Sequence, residues 1–234
     1  MKQLRITIVL MFALSPLAAG SSWFSLYTDS AALARDAAAI ISGFSTTVRK
    51  IRPDLELRVT ARVNTTPYLL FYSQGMINLP LWRRVMPQQK AFFYEAAGSD
   101  TAGRRVFGLF FNGFCLAREM AHALADAAGI THADAYTKEY DANILGILYW
   151  RENGREQELE ACYHYAKKML AVLQDPVPAE ADRRAYLTAH YDSLAADPRQ
   201  YLYIQFTQFA EIYEYPTLPG FDHFFLSRYG ESHR

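Results

Sequence analysis

The stretch Phe114-Cys115-Leu116-Ala117-Arg118-Glu119-Met120-Ala121-His122 decides the reading of this chain. It falls within a helix expected over residues 105–128, ended by Gly129 as C-cap. On a helix, residues four apart stand one turn and about 40° from each other, so Arg118 and His122 reach one point, with Glu119 beside them. Thr131-His132-Ala133-Asp134 has the form of a capping box and predicts a second helix over residues 132–152. That helix carries Lys138-Glu139-Tyr140-Asp141-Ala142-Asn143. A tight turn at Gly129 would fold the two helices together and bring Glu139 toward His122.

Upstream, residues 29–45 place alanine and leucine at helical spacing and predict a first amphipathic helix. The period then changes. Leu55-Glu56-Leu57-Arg58-Val59-Thr60-Ala61-Arg62 alternates apolar and polar, the pattern of a half-buried strand. Tyr68-Leu69-Leu70-Phe71-Tyr72 and Gly75-Met76-Ile77-Asn78-Leu79 predict two more strands, the last stopped by Pro80. A sheet so short and closely coupled is most simply antiparallel. Helices are expected at 88–97 and 157–173, and after a loop at Pro176 and Pro178, at 179–196, 200–213 and 221–229. The expected fold class is therefore α+β. Residues 21–175 form its main domain, and 176–234 a helical extension packed on it.

The 234 residues are 51% apolar, enough for a core without disulfide staples. Twenty-four basic residues balance 24 acidic ones, which gives no electrostatic footprint for nucleic acid or an anionic membrane. Lys2 and Arg5, the apolar run 6–14 and the small residues Ala18-Ala19-Gly20 have the order of a signal peptide over residues 1–20. The run is too short to span a bilayer, and the expectation is export to a periplasm or the medium. Cys115 and Cys162 would then form one bridge or remain two buried thiols. No G-x-S-x-G elbow, P-loop or dinucleotide-binding glycine fingerprint occurs.

Arg118-Glu119-x-x-His122 followed by Glu139-x-x-Ala142-Asn143 resembles the H-E-x-x-H and E-x-x-A-N motifs of zincin-like metallopeptidases of the gluzincin branch, across roughly residues 29–152. The resemblance implies a zincin-like fold: a small, mostly antiparallel sheet with an edge strand, a motif helix and a glutamate helix. It implies Glu119 as catalytic base and His122 and Glu139 as metal ligands, with Arg118 in place of the first histidine. It also implies that the edge strand at Ile77 and Asn78 holds substrate backbone. The metzincin spacing is not met, because Gly129 and His132 come four residues too late.

Arginine has no lone pair for a metal, so no cofactor is expected, or zinc only if the site is active. With the metal gone, two buried carboxylates need another cation, and the expected contact is Arg118 with Glu139 in the metal's place. Cys115, Asp126 and His132 are the other candidates for a missing ligand. Glu160 and His164 have the wrong spacing for a paired di-iron site. The aromatic run 201–213 reads as a core helix, or else as a groove wall with Gln205 and Gln208 as polar contacts. The leading expectation is an exported, degenerate metallopeptidase-like protein that binds a peptide or protein. The alternatives are an active zinc peptidase with an unrecognised third ligand and a structural cell-envelope protein.

Overall fold

The computed structural model describes residues 23–64 and 69–230. The signal segment expected at 1–20 lies outside the described residues, as does Tyr68 at the start of the second strand run. The architecture is α+β and mostly helical, with one three-stranded sheet among the described residues. No described helix is long and apolar enough to cross a membrane.

The first helix, α1 (Ser30–Ile51), begins where the Asp29 carboxylate accepts from Ala31 and Ala32 amides at 3.3 and 2.8 Å. Its buried stripe is Leu33, Ala37, Ile41, Phe44 and Val48, steps of three and four that keep one face toward the core. Three short strands follow, β1 (Thr60–Val63), β2 (Phe71–Ser73) and β3 (Met76–Leu79). Gln74 and Gly75 both take positive φ, 47° and 79°, and this two-residue turn makes β2 and β3 antiparallel neighbours.

The sheet corrects two expectations. Its order is β1-β3-β2 with β1 parallel to β3, so it is mixed, and β3 lies at its centre instead of its edge. Ile77 and Asn78 are 0% exposed, with strands paired on both sides. No free backbone edge remains there for a substrate strand. The physical reason is that alternation reports which face is buried and not which strand lies alongside. The alternation starting at Leu55 also overstates β1, because its partner has only four residues between the turn and Pro80.

Beyond a 3-10 turn at Trp82–Arg84 come α2 (Pro87–Ala97) and α3 (Asp100–Leu109). The helix expected at 105–128 is broken: a π-helical turn at Phe110–Phe114 separates α3 from α4 (Cys115–Ala128). Asn112 and Gly113 leave helical geometry there, at φ/ψ of −111°/25° and −147°/−105°. The carbonyls freed by the break find donors elsewhere. The Phe24 amide donates to Asn112 at 2.8 Å, the Trp23 indole to Gly113 at 3.0 Å and the Trp150 indole to Phe114 at 3.2 Å. A Cβ on Gly113 would lie 2.4 Å from the Phe24 ring, so only glycine fits.

Gly129, at φ 67°, ends α4 as expected. The next helix, α5 (Ala135–Glu152), starts three residues later than expected. Asp134 is its N-cap, accepting from the Thr137 amide at 2.7 Å, and Thr131 stays outside. Then come α6 (Glu156–Val172), α7 (Arg183–Ala195), α8 (Pro198–Glu214) and α9 (Phe221–Tyr229). The C-terminal helices enter the main core: Phe209 meets Phe114 at a ring distance of 4.7 Å, and Phe221 meets Phe44 at 5.7 Å. The aromatic run is thus a core helix, burying Ile204, Phe206, Phe209 and Ile212.

Candidate functional site

Close packing of α4 against α5 brings the motif residues together. At Gly146, seven residues after Glu139, a side chain would stand 3.1 Å from the Phe114 ring and 3.4 Å from the Arg118 amide. Its absence lets the helices approach. Arg118, Glu119, His122 and Glu139 then line one cleft of about 170 Å³, together with Leu70, Phe71 and Tyr72 from β2 and the strand's approach, Lys138 from α5 and Tyr201 from α8.

Arg118 is the centre of this arrangement, its side chain 8% exposed. Its Nη1 donates to Glu119 Oε1 at 2.6 Å, and its Nη2 contacts Glu139 Oε2 and donates to the Tyr201 hydroxyl at 3.0 Å. One guanidinium therefore bridges both glutamates, and the expected Arg118–Glu139 contact is present. The other oxygens also face donors. Tyr72 donates its amide to Glu119 Oε2 at 2.9 Å, Gln205 Nε2 donates to Glu139 Oε2 at 3.4 Å, and His122 Nε2 stands 3.5 Å from Glu139 Oε1. Within this cleft, Arg118 Nε is buried without a partner among the described residues.

Burial shapes the electrostatics. It pushes the Glu119 carboxyl above its usual range, opposed by the Arg118 charge and the Tyr72 amide. It holds His122 well below the usual imidazole range, and the Arg118 charge adds to that shift, so the ring is neutral at pH 7. A neutral His122 donating to Glu139 is consistent with the 3.5 Å approach.

His122 and Glu139 would supply two of the three protein ligands a zinc site normally takes, and the guanidinium contacts Glu139 and acts on His122 through its charge. Such a donor set does not fit the ion, since guanidinium offers no lone pair and its charge opposes a dication. Among the described residues, no three of His, Cys, Asp or Glu are grouped to hold a metal.

The remaining candidates lie elsewhere. Asp126 and His132 line a neighbouring hollow of about 330 Å³ that shares Lys138 with the cleft. His132 is turned to Asp141 at 3.6 Å, and Asp141 also accepts from Arg228 at 3.1 Å. Cys115 and Cys162 are both free thiols, and burial pushes Cys115 up to about 12. Glu160 and His164 form an exposed surface pair at 3.7 Å. Ile77 and Asn78 do not join the cleft; the Asn78 amide instead donates to Asn64 and Leu69 carbonyls at 2.6 and 3.2 Å. Gln205 and Gln208 are not open to a ligand as groove contacts: both accept from Asn143, at 3.2 and 2.9 Å.

From sequence alone, Tyr72 and Lys138 had no site role, and Tyr201 figured only as part of the aromatic run 201–213. The spacing of Tyr201, Gln205 and Gln208 is a usable signal, because four- and seven-residue steps put all three on one helix face. Compared with protein-family models, curated proteins and solved structures, the chain matches none.

Proposed function

We propose that this chain is an exported, degenerate gluzincin-like protein that works by binding a peptide or protein in its remnant cleft, with zinc binding and hydrolysis impaired. The observation that carries the reading is the Arg118 guanidinium seated between Glu119 and Glu139. In a hydrolytic zincin, one carboxylate activates the metal's water and the other binds the metal. Here both are held by one fixed cation, and Glu119 also accepts the Tyr72 amide. Glu119 is thus engaged where a base would need a free lone pair facing water.

The test is zinc titration of the wild type and of Arg118→His, with a peptide-hydrolysis assay on each. The reading expects no stoichiometric zinc binding by the wild type and measurable binding by the variant through His122, Glu139 and the new imidazole. Tight zinc binding by the wild type, with turnover, would restore the active-peptidase alternative.

A further inference from the structure

The balance of donors and acceptors in the cleft indicates what it can hold. Every oxygen of Glu119 and Glu139 already faces a donor from Arg118, Tyr72, Gln205 or His122. Two donors remain. Lys138 is exposed at the cleft wall and forms no ion pair within 4.0 Å among the described residues, although its charge acts on Glu119. The Tyr201 oxygen accepts from Arg118 at 3.0 Å, and among the described residues its own proton has no acceptor. A ligand entering here therefore meets open donors and engaged carboxylates.

From this we infer that the cleft is a carboxylate-binding site, with Lys138 as the ion-pair partner and the Tyr201 hydroxyl as the second donor. The inference rests on the proposed binding function and names its ligand chemistry. At about 170 Å³ the cleft is smaller than the roughly 300–1,000 Å³ of pockets that enclose a small molecule. It fits one acidic side chain or one chain end, not a stretch of peptide. The same carboxylate would be poorly received without Lys138, because Arg118 is already spent on two glutamates.

Calorimetric titration of metal-free protein with three short peptides tests this. Acetyl-Ala-Glu-Ala-amide offers only a side-chain carboxylate, acetyl-Ala-Ala-Ala only a terminal one, and acetyl-Ala-Gln-Ala-amide neither. At least one acid peptide should bind about tenfold or more tighter than the glutamine peptide, the scale of one charge-assisted hydrogen bond, and which one binds names the source. Lys138→Gln should lose that preference and Lys138→Arg retain it; Lys138 is exposed, so neither change threatens the fold. Equal binding of acid and neutral peptides, unchanged binding by Lys138→Gln, or no binding of any peptide overturns the inference. Zinc binding by the wild type overturns the proposed function instead, and the two failures are read in separate experiments.

Discussion

Arg118 makes the site's stability depend on a buried charge set. Its side chain and that of Glu119 are 8% and 4% exposed, so removing the cation leaves two carboxylates in a poorly solvated place. Arg118→Ala should destabilise the protein by about 3–5 kcal/mol, the usual cost of breaking a buried pair, measured by urea unfolding at pH 7. The paired change Arg118→Met with Glu119→Gln should recover part of that loss; no recovery would mean that packing, not charge, dominates. His122 sets a pH dependence of known sign. Its folded value lies well below 6.5, so its contribution is complete above that pH. Acidification from 6.5 toward the folded value removes it, because only the unfolded chain takes the proton. His132 is shifted the same way, first by burial, and adds to the same slope. Glu119, shifted upward, acts oppositely: its contribution is complete below 4.5 and lost as pH rises through its folded value. His122→Asn should therefore flatten, but not abolish, the fall in stability between pH 6.5 and 5, read from unfolding midpoints.

At the level of elements, the π-turn ahead of α4 determines where the site helix points. Trp23 and Phe24 satisfy two of its carbonyls, and Phe24 packs on Trp150 at a ring distance of 4.9 Å. Gly113→Ala should cost about 1–3 kcal/mol through the clash with Phe24. Trp23→Phe, which keeps an aromatic side chain but removes the indole N–H and some buried volume, should cost at least about 1–3 kcal/mol for the orphaned Gly113 carbonyl. Both are read by thermal unfolding, and a Gly113→Ala protein as stable as wild type would show that the break can straighten. The break was not legible in the sequence. Apolar periodicity runs through residues 105–128 without a proline, and what bends the chain is a pair of aromatic residues some 90 positions earlier.

For the molecule as a whole, α8 joins core and cleft. Phe206 and Phe209 pack against Phe110 at 5.0 and 5.6 Å, while on the same helix Tyr201 and Gln205 reach Arg118 and Glu139. A chain ending at residue 175 should therefore lose fixed aromatic packing, seen as loss of the near-ultraviolet circular dichroism signal with far-ultraviolet signal retained. A native near-ultraviolet spectrum from that fragment would mean that residues 176–234 are a separable extension after all.

The amino-acid order alone determined the helical spacing of Arg118, Glu119 and His122, the stop at Gly129 and the placement of Glu139 on the following helix. These depend on local geometry, which the 3.6-residue period and the αL preference of glycine carry directly. Burial by charge reasoning also anticipated the Arg118–Glu139 contact, because two inward carboxylates on adjacent helices require a nearby cation. Only the tertiary structure decided that β3 is central, that β2 meets Glu119 through the Tyr72 amide, and that Tyr201 and Gln205 complete the site. Those contacts join residues 47 to 83 positions apart. No local period encodes them; they follow from which faces the whole chain must bury together.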